Sequence, residues 1–501
     1  MFGPSRPQAV VVGAGPAGLT AAYELARRGV SVRLVDAAEA PAITSHTVAV
    51  QPRTLEAFAQ MGVVEEVLAR GSTSRSITVQ AGTRSPVPLV ADYSSLPTSY
   101  PYTLAAARHD IESVLRLALA RLGVPVEWDT RPGRIEQDHD RVLLRLHHQG
   151  RTQVVETSWL IHCDTSSGTT PEHPAADPSD SLPGDKQALP EGLTPARHSD
   201  GLAPTPLRQG RLFAVGAATR QPTRCNGPGS IDSGVQDAHN LAWKLAQVTH
   251  GHAAPALLDT YRHERQPIGN PAATRLTSVR SLLVRTALTA ALHAAHLVRP
   301  LRRALQRILL NDLSGLGIRH TDSPLTTYDT QHYICAIGPF VAAGTLPAPH
   351  TRPRPGERLT HAPVHHPHAP SHRALHRQLR DPRWTLLLAA GGPHTGDTPE
   401  TVALNAALQY GPWLSVRTLT TTHTSGPQPL HDPHHHLHHA LGLAPGNWLL
   451  IRPDAYVAAR GSHLTRRSLQ QALTPLAPTA PLLSEAPRDL RPLTRPDPKK
   501  H

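Results

Sequence analysis

The residues with the clearest chemical purpose lie between Val10 and Asp36. Val10, Val11 and Val12 run into Gly13-x-Gly15-x-x-Gly18, an amphipathic segment follows to Arg28, and Val32 to Val35 ends on Asp36. Strand, glycine turn, helix, strand and acid in that order give G-x-G-x-x-G its meaning as a dinucleotide cradle. Gly13 permits the tight turn, Gly15 lets backbone approach a pyrophosphate, and Gly18 allows helix and strand to pack closely. Pro16 and Ala17 open the helix, where the missing proline N–H costs nothing. The amides of that first turn, with the positive end of the helix dipole, favour a phosphate. Asp36 stands where a carboxylate accepts the hydroxyls of an adenosine ribose and would repel a 2′-phosphate.

The rest of the chain must hold this cradle in place. A helix is expected over Gln51–Arg70, with Leu55, Phe58, Met61 and Val64 facing a core. Strands follow across 76–90 and at Pro101–Leu104, and Arg108 precedes a helix over Asp110–Leu122. Val124–Trp128, a hairpin across Gly150 and Ser158–Cys163 complete the first half. Residues 165–209 are rich in Pro, Ser, Thr, Asp and Gly without apolar periodicity, and read as a linker. A short buried strand ending at Gly216, a glycine-rich loop over 226–234 and a helix over Val235–Val248 restore a globular pattern. The expected division is 1–164 and 210–335 as two halves of one nucleotide-binding domain, 336–477 as a separate α/β domain, and 478–501 as a disordered tail.

Composition narrows the function classes. The 501 residues carry a net charge of +12, nearly all from scattered arginine, since Lys186, Lys244, Lys499 and Lys500 are the only lysines. With few aromatics and no basic stripe, a nucleic-acid partner is not expected. Ser281–Leu310 is apolar but interrupted by Arg285, His293, His296, Arg299 and Arg302, so it reads as a packing helix and not as a membrane span. Cys163, Cys225 and Cys335 form neither a disulfide framework nor a CxxC motif. A cytoplasmic protein without a leader is expected. The histidine-rich stretches 361–376 and 431–439 lack spaced Cys, Asp or Glu partners and read as solvated loops, with no metal site.

Longer motifs carry a family resemblance. VVVGAGPAGLTAAYELARRGVSVRLVD, Pro52-Arg53-Thr54-Leu55-Glu56, Arg108-x-x-Ile111, GRLFAVGAA at 210–218, SGVQDAHNLAWKLA at 233–246 and YRHERQP at 261–267 fall in an order that resembles the FAD-dependent aromatic polyketide hydroxylases, single-component flavoprotein monooxygenases. LLIRPDAYVAARG at 449–461 resembles the end of their C-terminal thioredoxin-like domain. The resemblance implies an α/β, Rossmann-like fold of the glutathione-reductase type that binds FAD, with NADPH as transient reductant and oxygen delivered to a small aromatic or polyketide substrate. It places Gly13, Gly15, Pro16, Ala17, Gly18, Asp36, Arg108, Gly216, Gly229 and Gly234 at the cofactor, and assigns no catalytic residue and no NADPH site.

The chain departs from the family pattern in several places. Ala217 stands where the family has an Asp that binds the ribityl chain. Pro228 removes an amide from the glycine loop, Asp232 brings a carboxylate toward the flavin, and His46 replaces an Arg. Asp232, Arg220 and Arg108 are the polar groups expected nearest the flavin ring. The interval 165–209 is shorter than the family's substrate-covering sheet. Three readings therefore stand: a hydroxylase with drifted motifs, a redox-neutral cyclase or isomerase on the same scaffold, and an inactive relic that acts as a partner protein.

Overall fold

The structure is a computed structural model that describes residues 6–43, 46–81, 87–163, 206–219, 231–266, 310, 313–327, 352–359, 370–391, 398–421 and 428–476. Strands β1 (Ala9–Val12) and β2 (Val32–Val35) lie side by side within a six-stranded sheet. The spatial order is Arg208–Gln209, Leu212–Ala214, Trp159–His162, β1, β2, Val126–Glu127. All neighbours are parallel except the first pair. A parallel sheet needs both faces covered. On one face lie the helices α1 (Pro16–Ala26), α4 (Arg108–Arg121) and α5 (Ile231–Thr249), which pack Leu19, Leu25, Leu115, Leu119, Leu241 and Leu245 against Ala9, Val11, Leu34 and Ile161. On the other, Val10, Val12, Val35 and Leu160 meet Val142, Leu144, Leu146 and Val155 of a three-stranded antiparallel sheet. This explains why β1 reads as an unbroken apolar run.

The helix expected over 51–70 is two helices, α2 (Pro52–Met61) and α3 (Val64–Leu68). Gly62 at φ +82° separates them, and the Gly62 and Val63 amides close the end on the Ala59 and Phe58 carbonyls. A left-handed glycine in that position is a helix stop that apolar periodicity does not register. The expected core positions Leu55, Phe58, Met61 and Val64 are all buried. Of the expected linker, 206–209 are described, and they include the edge strand Arg208–Gln209; residues 164–205 and the expected helix over 281–309 lie outside the described residues.

The C-terminal part holds a five-stranded sheet in the order Pro429–His431, Leu414–Thr420, Trp384–Ala389, Trp448–Ile451, Val457–Gly461. The first three are mutually parallel, and the last two run antiparallel to their neighbours. Trp243 of α5 enters this part's apolar cluster with Trp384, Leu386, Val402 and Trp448, and the two indoles meet edge-on at 5.4 Å. A histidine stretch expected as a solvated loop is ordered here. Residues His436–Leu441 form a helix whose first amides, Leu437 N and His438 N, donate to the buried Asp432 carboxylate, and His438 Nδ1 lies 2.9 Å from the same oxygen. Burial opposes the Asp432 charge, yet these donors hold its pKa down at about 2. Of the other stretch, residues 361–369 lie outside the described residues and 370–376 belong to the helix Pro370–Gln378. No group of three or more metal-ligating side chains occurs among the described residues.

Candidate functional site

The glycine turn forms as its spacing demands. Gly13 lies at φ +99°, its amide donates to the Val35 carbonyl at 2.9 Å, and a Cβ at Gly18 would sit 1.8 Å from the Gly13 oxygen. Only a hydrogen fits there, which is why α1 starts so close to β1. Gly15 is the N-cap of α1 and contributes no capping side chain, so the first-turn amides remain for an external acceptor. A Cβ at Gly15 would lie 3.0 Å from Arg108 Nη2, so this guanidinium stands directly over the turn. Arg108 is the first residue of α4, its Nε donates to Glu112 at 2.8 Å, and its amide donates to the carbonyl of the exposed His46. A fixed cation over free helix amides fits a diphosphate.

Asp36 lies beside the same turn. Its Oδ2 accepts the Ala14 amide at 2.5 Å and its Oδ1 accepts the Ala38 amide at 2.8 Å. Each carboxylate oxygen has two acceptor sites, so the held carboxylate can still take the two hydroxyls of a ribose. Gly13, Gly15, Pro16, Gly18, Asp36 and Arg108 thus meet at one turn that offers backbone amides, a cation and a carboxylate, groups with the chemistry to receive an adenosine diphosphate.

The opposite wall comes from the 216–219 turn and the start of α5. Gly216 has φ +59°, and a Cβ there would meet Gly234 Cα at 2.9 Å and Ala17 Cβ at 3.1 Å. A Cβ at Gly234 would meet Ala17 Cβ at 3.0 Å. Ala17, Gly216 and Gly234 thus converge at the glycine turn, each small because the other two are close. Asp237 fixes this corner, since its Oδ2 accepts the Gly216 amide at 3.0 Å and its Oδ1 accepts Arg265 Nε. Ala217, half-buried beside them, ends in a methyl and offers no side-chain acceptor. Gly229, Pro228 and Arg220 lie outside the described residues.

Asp232, expected near the flavin ring, has a structural partner. It is buried, and its Oδ1 accepts the Gln51 amide at 2.9 Å, which ties the first turn of α5 to the start of α2. Gln51 Oε1 in turn accepts the Tyr93 hydroxyl, whose pKa is pushed up to about 12 by burial and by the Asp232 charge. The carboxylate is occupied in holding two helices together.

A second constellation escaped the sequence reading. Asn240, Trp243 and Lys244 share one face of α5 and meet Glu264 of α6 (Asp259–Arg265) and the Arg452–Asp454 segment. Lys244 Nζ and Asn240 Nδ2 donate to Glu264, at 2.8 and 2.7 Å, and Arg452 donates to both Glu264 oxygens and to Asp454. Burial lowers the Lys244 pKa to about 8, and Asp454 stays at about 2 because Arg452 outweighs its burial. A signal lies in the sequence of α5: Asn240, Trp243 and Lys244, at i, i+3 and i+4, share a face with Leu241 and Ala242 beside it, and polar groups there need buried partners. Their partners, Glu264 on another helix and Asp454 in the C-terminal part, had no local signature.

Residues 6–175 and 187–275 match the family model described as FAD binding domain. The chain belongs to that family. It is 33% identical to 6-methylpretetramide 4-monooxygenase of Streptomyces rimosus over 94% of the chain and 93% of the relative, so this likeness spans both the nucleotide-binding and C-terminal parts. Two solved structures share the fold. OxyS anhydrotetracycline hydroxylase from Streptomyces rimosus is 21% identical with a TM-score of 0.62, and the flavin-dependent monooxygenase PieE, in complex with FAD and substrate, is 22% identical with the same score. Each alignment covers 94% of this chain and 99% of the other. Among the described residues no helix is long and apolar enough to cross a membrane.

Proposed function

We propose that this chain binds FAD and, with NAD(P)H as reductant and O2 as oxidant, hydroxylates an aromatic polyketide or related phenolic substrate. One observation carries the reading: the diphosphate cradle is intact, with the Arg108 guanidinium 3.0 Å from the Gly15 Cβ position, in a chain similar from end to end to a polyketide monooxygenase. Gly13, Gly15, Pro16, Ala17 and Gly18 would receive the pyrophosphate with Arg108, Asp36 the adenosine ribose, and Gly216, Gly229 and Gly234 would border the flavin half. Bound FAD would supply electron transfer from NAD(P)H to oxygen. The protein's own share is to orient the substrate ring and exclude water.

The same reading divides the chain at 1–164, 165–209, 210–335, 336–477 and 478–501, with 336–477 thioredoxin-like. The parallel pair Trp384–Ala389 and Leu414–Thr420, joined through a helix and followed by the antiparallel pair Trp448–Ile451 and Val457–Gly461, supports that assignment. The segment holds no cysteine, which favours a structural role. The reading carries with it a cytoplasmic location, where NAD(P)H is available as reductant.

Ala217 favours a second reading, redox-neutral cyclisation or isomerisation in the same cavity, because a lost ribityl acceptor weakens the flavin half and not the fold. The two separate in one series. Purified protein is examined by visible absorbance before and after adding FAD, then assayed for NAD(P)H oxidation and oxygen uptake with an aromatic polyketide. Retained flavin bands and an oxygen-dependent product one oxygen heavier are expected. Turnover without NAD(P)H would favour the cyclase, and protein that stays colourless in excess FAD would overturn the hydroxylase.

A further inference from the structure

Residues Arg452–Tyr456 join two strands of the C-terminal sheet, yet their polar groups serve the nucleotide-binding part. The turn is closed by Arg452 N to Tyr456 O at 2.8 Å and Ala455 N to Arg452 O at 2.9 Å. Ala455 is held at φ +60°, a left-handed backbone that strains a residue with a Cβ. Arg452, Asp454, Ala455 and Tyr456 are all buried.

Three helices receive this turn. The Asp454 carbonyl accepts Arg53 Nη2 of α2 at 2.9 Å, and the Arg53 guanidinium lies over the Tyr456 ring at 4.9 Å. Asp454 Oδ2 accepts Trp243 Nε1 and Asn240 Nδ2 of α5 at 3.0 and 3.3 Å. Arg452 sets two N–H groups on Glu264 of α6 at 2.6 and 2.8 Å. Each helix also carries part of the cofactor corner. Gln51, just ahead of α2, is bound to Asp232; α5 presents Gly234 and Asp237; and Arg265, next to Glu264, binds Asp237. Trp243 and Asp237 are six residues apart on α5, roughly 9 Å along its axis.

We propose that Asp454 and Arg452 are positioning residues for the FAD site: acting through α5 and α6, they hold Asp237, Gly216 and Gly234 in register with the glycine turn. The proposal rests on the FAD reading above. The C-terminal part thereby tightens cofactor binding without touching the cofactor. Asp237 must bind Gly216 N and Arg265 together, so a small slide of α5 breaks one bond of the pair and moves the Gly216 turn away from Ala17. Linkage makes the effect reciprocal, so bound FAD must stabilise the 452–456 turn by the same factor.

The test compares FAD dissociation constants, by fluorescence quenching, for the full-length wild type, Asp454→Ala, Asp454→Asn and Leu437→Ala, with Tm measured for each. Leu437 belongs to an apolar cluster that reaches the flanking strand residues Ile451 and Val457 but none of the turn's polar groups, so its truncation destabilises that part while leaving the Arg452 and Asp454 bonds in place. The expected result is a rise of at least tenfold for D454A, a smaller rise for D454N, and a change under twofold for L437A despite a comparable loss of Tm. A D454A constant within twofold of wild type, or an equal rise in L437A, would overturn the coupling. If D454A does not fold, hydrogen exchange on the wild type decides: FAD should slow exchange at the Arg452 and Ala455 amides, and unchanged rates overturn the proposal. Wild type that binds no FAD refutes the functional reading itself, whereas wild type that binds FAD as D454A does refutes only the positioning role.

Discussion

Gly15 and Ala217 stand on opposite sides of the same site and make opposite predictions. Gly15→Val would place two methyls in the path of the pyrophosphate and against Arg108 Nη2. FAD retained through gel filtration should fall below detection while the far-ultraviolet circular dichroism spectrum stays that of the wild type. A yellow G15V protein would remove the cofactor from this turn. Ala217→Asp restores an acceptor for a buried hydroxyl, an interaction of roughly 1–3 kcal/mol. FAD affinity should tighten about ten- to a hundredfold by calorimetric titration, with ADP affinity unchanged. Equal tightening of ADP would mean that position 217 does not face the flavin half.

At the scale of elements, α5 has two tasks. Its first turns close the corner at Gly216 and Ala17 through Gly234 and Asp237, and its later turns bury Trp243 and Lys244 in the seam with the C-terminal part. The corner depends on a left-handed turn that has no room for a Cβ. Gly216→Ala combines a left-handed backbone, a cost of about 1–2 kcal/mol, with a Cβ 2.9 Å from Gly234 Cα. The variant should lose about 2 kcal/mol or more in urea unfolding together with its FAD, and wild-type stability would refute this packing account. The α2–α3 break at Gly62 shows the converse, where a glycine with open space around it sets only direction.

The whole molecule answers to pH through charges trapped between elements. His239 of α5 lies beside Glu24 of α1, and burial lowers its pKa to about 4, partly offset by the Glu24 charge. The unfolded chain takes up this proton near pH 6.5 and the folded protein not until about 4, so the unfolded state binds more protons and stability falls as pH drops through that window. The loss is on the order of 3 kcal/mol. Glu24 adds to it lower down: burial opposes its charge, but Arg27 and Arg28 bring its pKa to about 2, and its contribution is lost as pH falls from about 4.5. Urea midpoints should therefore decline steadily from pH 7 to 4.5, and His239→Gln should flatten that decline. An equal slope in H239Q would assign acid sensitivity to other groups.

The sequence by itself determined the glycine turn, β1, β2, the existence of α1, α4 and α5, the core face of α2, and the place of Asp36 at the end of β2. All of these follow from periodicity, glycine sterics or spacing within some thirty residues, and such local constraints survive any tertiary arrangement. Tertiary structure alone decided what the other motif residues do. Asp232 met a backbone amide across α2, Asp432 capped a helix of histidines, and Lys244, Glu264, Arg452 and Asp454 found one another across two parts of the chain. A charged residue in an apolar pattern announces that it needs a partner; which partner it gets depends on how distant segments pack, because the cost of burying a charge is met only by the groups brought within hydrogen-bonding distance.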